Sequence, residues 1–276
     1  MAQLTHVFYE EKYFEKETIE KLSAELKKMQ ITLLSASQTA DVKPENMLLM
    51  TGTQALIDFA GEQGIAVLGI EPETSMEHLT GVRYIFLETK SITPENIIYV
   101  YERCHQIPQE IGRTARTRIR ELSLDDLDAL FSLYEKEGVC DYMEPLYERA
   151  KEEEYQKAYI ENMYGLYGYG MWLVFDPAGQ RLIGRAGLEH REVEGEVVME
   201  MGYVIDPAYQ RQGYATEVCR FLMDYAKENL SAKQISAFIQ PENTGSVRLI
   251  QKLGFTQKKV LTLDKKEMLW FLKRLV

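Results

Sequence analysis

The chain has 276 residues, a formal net charge of −11 at pH 7, 45% hydrophobic residues and 27% charged residues. That length predicts one large domain or two ordinary ones, and the balance of apolar and charged residues excludes global disorder. The acidic balance, with no dense basic cluster beyond a short run at 113–120, argues against a nucleic-acid partner and favours a cationic substrate such as an amine. No stretch approaches 18 consecutive apolar residues, and residues 1–12 lack a basic segment followed by an apolar run, so neither a membrane span nor a signal peptide is expected. Cys104, Cys140 and Cys219 are odd in number, far apart and in no metal-like spacing, which predicts reduced thiols, a cytoplasmic location and no metal site.

Residues 1–110 alternate short apolar runs with helical stretches. Ile19, Leu22 and Leu26 fall at helical spacing within 15–28. Strand-like runs follow at 31–34, 47–50, 65–70 and 84–87. A helix is expected over 53–63, closed by Gly64, and another over 94–105, with Thr93 as N-cap and Pro94 in its first turn. Apolar strands alternating with helices predict a small parallel sheet covered on both faces, an α/β Rossmannoid domain. Pro108, Gly112 and the Thr/Arg run to residue 117 read as a surface connection to a second domain over 117–276.

The run Lys43-Pro44-Glu45-Asn46-Met47-Leu48-Leu49-Met50-Thr51-Gly52-Thr53, with the helix and Gly-bounded strand that follow, resembles the later part of a HAD-like (haloacid dehalogenase) domain. The resemblance lacks the family's chemistry. No DxDxT nucleophile motif occurs in 1–110, and the turn that would carry a metal carboxylate is Thr51-Gly52-Thr53. This half therefore reads as a catalytically silent relative with a docking, dimerising (homodimer) or ligand-sensing role. Lys43 reads either as a solvated turn lysine or as a phosphate contact.

The second half is α+β in pattern. A strand is expected at 118–122. Ser123 caps a helix whose first turn carries Asp125 and Asp126. An acidic, Tyr-rich helical stretch covers 141–165. Strands at 171–175, 182–190 and 197–205 are separated by turns at 176–179 and around Gly195. The last of these strands runs into Asp206-Pro207-Ala208-Tyr209-Gln210-Arg211-Gln212-Gly213-Tyr214-Ala215 and then a helix over 216–227. A turn rich in backbone N–H groups that opens a helix is an anion site, and Gly213 permits the close approach it needs.

Gln210-Arg211-Gln212-Gly213-Tyr214-Ala215 fits the [Q/R]-x-x-G-x-[G/A] signature of the GNAT acetyltransferases. A strand at 234–240 and Asn243-Thr244-Gly245-Ser246, closing on Leu253-Gly254-Phe255, follow in the family's order. This half most resembles the Rim-type subgroup. The resemblance implies a mixed-sheet GNAT fold that moves an acetyl group directly from acetyl-CoA, as cosubstrate, to a primary amine on a small molecule, a protein N-terminus or a lysine. It places Gln210, Arg211, Gln212, Gly213, Tyr214, Ala215 and Thr216 at the CoA pyrophosphate. Tyr203, Val204 and Ile205 then run beside the pantetheine, where a bulge parts their strand from the next, and Asn243 bonds the cofactor or the strand end.

The resemblance also implies a base and an acid. Glu200 and Glu189 are the base candidates, with His190 behind them. Ser246, one turn along the helix after Asn243, stands near where the thiolate leaves, and that helix offers no tyrosine as acid between Asn243 and Phe255. Cys219 reads as core. Glu137, Asp141, Tyr142 and neighbouring carboxylates and tyrosines suit a cationic acceptor. The rival readings are an acyl-CoA-binding sensor or scaffold that transfers nothing, and a bifunctional enzyme with a phosphatase-like first half.

Overall fold

In the computed structural model, which describes residues 3–75 and 78–275, the first strand is β1 (His6–Tyr9), a short element the sequence pattern did not reveal. There follow α1 (Lys16–Lys28), β2 (Thr32–Ser35), β3 (Met47–Thr51), α2 (Gln54–Gln63), β4 (Ala66–Ile70), β5 (Ile85–Phe86) and α3 (Pro94–Cys104). Among the described residues the five strands form one parallel sheet in the order β2-β1-β3-β4-β5. Both faces are covered, as successive side chains show. Val7, Leu48 and Met50 pack with α1 and α3 residues such as Leu26 and Ile97, whereas Phe8 and Leu49 pack against Ala60 of α2. Successive residues on a strand point to opposite faces, so a doubly covered strand reads as an unbroken apolar run.

The expected punctuation is present. Gly64 ends α2 in the left-handed region at φ 71°, where a glycine carries no Cβ penalty. Thr93 and Asn96 form a reciprocal capping box at α3, which satisfies two N–H groups that the helix leaves open.

The chain divides into two units, Met1–Ile107 and Pro108–Val276. The second contains β6 (Glu110–Arg113), β7 (Arg118–Arg120), α4 (Leu127–Tyr134), α5 (Arg149–Tyr159), β8 (Met171–Phe175), β9 (Leu182–Val193), β10 (Glu196–Ile205), α6 (Tyr214–Glu228), β11 (Gln234–Ile239), α7 (Thr244–Lys252), β12 (Thr256–Leu263) and β13 (Lys266–Arg274). Among the described residues its eight strands form a mixed sheet in the order β12-β13-β11-β10-β9-β8-β7-β6. Its core joins Trp172, Leu173 and Ile183 of the sheet to Leu130 of α4 and to Val218, Cys219 and Leu222 of α6.

Several elements differ from expectation. Residues read as a connection carry β6, paired with β7. The helix expected over 141–165 begins only at Arg149 and passes into π-helical turns from Ile160 to Tyr167. The Ser123 cap is present as expected, at the turn that enters α4: it forms a capping box with Asp126, whose carboxylate accepts from the Ser123 N–H and Oγ, both at 2.8 Å, and binds Arg120 through both oxygens at 2.6 and 2.7 Å.

The feature that positions the site is the junction of β10 and β11. All the other adjacent strand pairs of this sheet run antiparallel, but these two run parallel and, among the described residues, register at one point, Glu200 opposite Ser236. Beyond it Met201–Ile205 and Ala237–Ile239 share no register. The expected bulge in β10 is absent from its pairing with β9, which runs unshifted from Glu196/Val193 to Ile205/Gly184. The strands part because their pairing ends, not because β10 gains a residue.

Candidate active site

Beside the end of β10, where it has parted from β11, lies a cleft of about 570 Å³. One wall is the end of β10, contributing Tyr203, Val204 and Ile205, and the opposite wall is the start of α7, with Asn243, Gly245, Ser246 and Leu249. Its mouth is the turn into α6, with Gln210, Arg211, Gly213, Ala215 and Thr216, and its rim is the loop after α4, with Glu137, Asp141 and Tyr142. The cleft thus gathers most of the residues expected at CoA. Gln212 and Tyr214 are not in its lining.

The turn is built from backbone requirements. Asp206, 2% exposed, accepts the Ala208 N–H at 3.0 Å and pairs with Lys136. The Gln210 side chain donates to the Ile205 carbonyl at 2.9 Å, and Gln212 donates to the Ala208 carbonyl at 2.8 Å. These bonds tie the turn to the end of β10. Arg211 and Gly213 both adopt left-handed conformations, φ 59° and 88°. Gly213 is the N-cap of α6, whose first N–H groups have no partner within the helix and face the cleft mouth.

Tyr214 turns away from the cleft. It stacks beneath the Arg116 guanidinium, 4.2 Å from the ring centroid, and meets Tyr209 edge-on. Arg116 also donates to the Gln212 carbonyl at 3.1 Å and pairs with Glu217 of α6 at 2.8 Å. Burial pushes the Glu217 carboxyl up, but hydrogen bonds from Thr114 and Arg116 together hold it below the usual range. Asn243 caps α7, its Oδ1 accepting the Ser246 N–H at 3.1 Å. That oxygen is therefore engaged in positioning Ser246.

Glu189 and Glu200 lie directly opposite each other across β9 and β10 and do not line the cleft. Both are engaged. Glu200 is bonded to Arg191, and Glu189 accepts the Tyr159 hydroxyl at 2.6 Å. Burial raises the Glu200 carboxyl above its ordinary range despite the opposing Arg191 charge. His190 is bonded to the Tyr169 hydroxyl at 2.7 Å. Ser246 is thus the one member of the expected acid–base set that stands in the cleft.

The sequence missed the side chain of Tyr203. It enters the cleft, its hydroxyl oxygen is sealed from solvent, and it has no hydrogen bond of proper geometry. It lies beside the Ser246 hydroxyl, with Cys219 of α6 as a further neighbour, and burial pushes its phenol well above the ordinary tyrosine range. No sequence signal marks this, because a strand position predicts backbone pairing and not what faces a hydroxyl.

A mixed sheet opened between two parallel strands, with an anion turn at the mouth of the opening, suits an extended ligand that carries a phosphate group. The chain belongs to the GNAT acetyltransferases: the Acetyltransferase (GNAT) domain model matches residues 116–256, more than half of the sequence. It is similar to the uncharacterized protein YkkB of Bacillus subtilis (strain 168), with 28% identity over 149 residues, covering 54% of this chain and 86% of that protein. It is also similar to the uncharacterized N-acetyltransferase YnaD of the same organism, with 28% identity over 145 residues, 52% of this chain and 82% of that protein. Among solved structures, a Bordetella pertussis protein assigned to the GnaT-family acetyltransferases superposes with a TM-score of 0.51 at 20% identity, covering 60% of this chain and 99% of that one. This likeness establishes the fold.

Proposed function

We propose that the protein is an acetyl-CoA-dependent N-acetyltransferase that transfers acetyl directly to a primary amine, in the manner of the Rim-type subgroup. The observation that carries the reading is the cleft itself: the α6 turn, the unpaired edge of β10 and Ser246 open into one volume whose rim bears Glu137 and Asp141. The turn suits the pyrophosphate. The edge of β10 suits the pantetheine amides, which pair as an added strand would. The rim carboxylates and Tyr142 suit a cationic small molecule, protein N-terminus or lysine side chain.

In this reading the neutral amine attacks the thioester carbonyl, and a backbone N–H near Val204 polarises the oxygen. The proton leaving nitrogen passes to a base, directly or through water. Glu200 is the proposed base and Glu189 its alternative. Either must exchange its present partner for that role, Arg191 for Glu200 and Tyr159 for Glu189. Those engagements favour the second reading, a sensor that binds acyl-CoA and transfers nothing. Thiol release from acetyl-CoA, screened across amines and basic peptides, decides between them: sustained release with any acceptor excludes the sensor.

For residues 1–110 we infer a degenerate HAD-like domain without catalysis. Support comes from Glu10, at the end of β1, whose carboxylate accepts from Thr51 at 2.6 Å and Thr53 at 2.8 Å and pairs with Lys12 at 2.8 Å. A carboxylate so bound is a poor nucleophile. The three free cysteines, Cys104, Cys140 and Cys219, fit a cytoplasmic location. Among the described residues no helix is long and apolar enough to cross a membrane.

A further inference from the structure

We propose that Tyr203 is a positioning residue of the transfer reaction: its hydroxyl donates a hydrogen bond to Ser246 Oγ and so turns the Ser246 proton towards the sulfur of the departing CoA. The proposal rests on the reading of the cleft as an acyl-CoA site. Three observations lead to it. Tyr203 and Ser246 line the same cleft from opposite walls. The Tyr203 hydroxyl oxygen is sealed from solvent, and the Ser246 hydroxyl is the polar group beside it. Ser246 is fixed in place by the bond from its own N–H to Asn243.

A buried hydroxyl has given up its hydrogen bonds to water, and Ser246 is the group placed to replace one of them. Phenylalanine would fill the same space with no polar atom to desolvate, so packing alone does not account for the oxygen. The chemistry of the cleft does. When the nitrogen–carbon bond forms and the carbon–sulfur bond breaks, sulfur takes the bonding pair and needs a proton or a hydrogen-bond donor. The proton lost by nitrogen balances the one that sulfur gains.

Serine alone is a weak acid. A donor on Oγ stabilises the negative charge that develops as serine hands its proton on, and it fixes which way that proton points. Tyr203 suits this role because burial keeps its phenol protonated, hence a donor, at every working pH. Cys219, the neighbour from α6, is fully buried and its thiol is likewise pushed up by burial, so it brings no competing charge.

The test needs no knowledge of the acceptor. The full-length protein is titrated calorimetrically with CoA at a pH where its thiol ionises, with desulfo-CoA as the probe lacking sulfur. The bound thiolate is followed by its ultraviolet absorbance across pH. Tyr203→Phe is expected to weaken thiolate binding about three- to tenfold, the worth of one hydrogen bond, and to raise the pH at which the bound thiol ionises. Desulfo-CoA should bind unchanged, which also shows that the variant cleft is folded. In a Ser246→Ala background, Tyr203→Phe should add nothing, because the two hydroxyls act as one unit. Equal weakening for both ligands, no weakening, or additive losses would overturn the positioning role. Failure of the unaltered protein to bind either ligand would overturn the acyl-CoA reading beneath it.

Discussion

Gly213 shows how one residue sets the chemistry of the cleft mouth. Its φ of 88° lies where an L side chain is strained, yet a Cβ there would meet only the Arg116 Nη2 at 3.4 Å, the movable end of a side chain. Gly213→Ala is therefore expected to cost roughly 1 kcal/mol of stability through strain and to keep CoA binding. Gly213→Glu sets a carboxylate against the pyrophosphate and should abolish it, as calorimetry on both variants will show. Glu200 gives a prediction with a pH sign. Its carboxyl is raised by burial against the pull of Arg191, and a base works only when ionised, so activity should fall as pH drops through that raised value. Glu200→Gln should remove this limb and lower turnover far more than CoA affinity; an unchanged pH–rate profile returns Glu200 to its ion pair with Arg191. Gly213 was legible in the sequence because its conformation leaves a fixed spacing before the helix. Tyr203 and the engagement of Glu189 and Glu200 were not, since both depend on side chains brought together from separate elements.

The elements themselves were legible where burial or capping imposes a pattern. The doubly covered strands β3 and β4 read as unbroken apolar runs, and α3 was announced by Thr93 and Pro94. Short elements beside charged residues were not. β1 is four residues long and followed by Glu10, Glu11 and Lys12, and β6 lies in an edge run rich in Arg and Thr. β1 is fixed by β2 and β3 further along the chain, and β6 by its pairing with the neighbouring β7. The contact of β6–β7 with α6 carries its own test. Glu217 is held below its ordinary value by Thr114 and Arg116, so its contribution to stability is fully present above the unfolded value of about 4.3 and is lost as pH falls through the folded one. Denaturant titrations of Glu217→Gln should show a deficit at neutral pH that shrinks in acid. At the entry to α4, the Arg120–Asp126 pair is largely buried, 18% and 10% exposed. Asp126→Ala leaves that guanidinium uncompensated and should cost roughly 3 kcal/mol, measured by the same titration.

At the scale of the whole molecule, the acidic composition is compatible with the proposed anion site. The −11 charge is distributed over the chain, whereas the α6 turn acts through local N–H donors that a salt-screened field does not cancel. The two units have separate hydrophobic clusters, so two thermal transitions are expected, with acetyl-CoA raising the one that belongs to Pro108–Val276. The central claim, that the parted strands and the α6 turn form an acetyl-CoA site, is tested most directly by calorimetric titration of the purified protein with acetyl-CoA. The account predicts saturable binding with a Kd of about 1 μM, about −8 kcal/mol, that Gly213→Glu eliminates. No heat of binding up to about 1 mM, about −4 kcal/mol, or equal binding by Gly213→Glu, would contradict it.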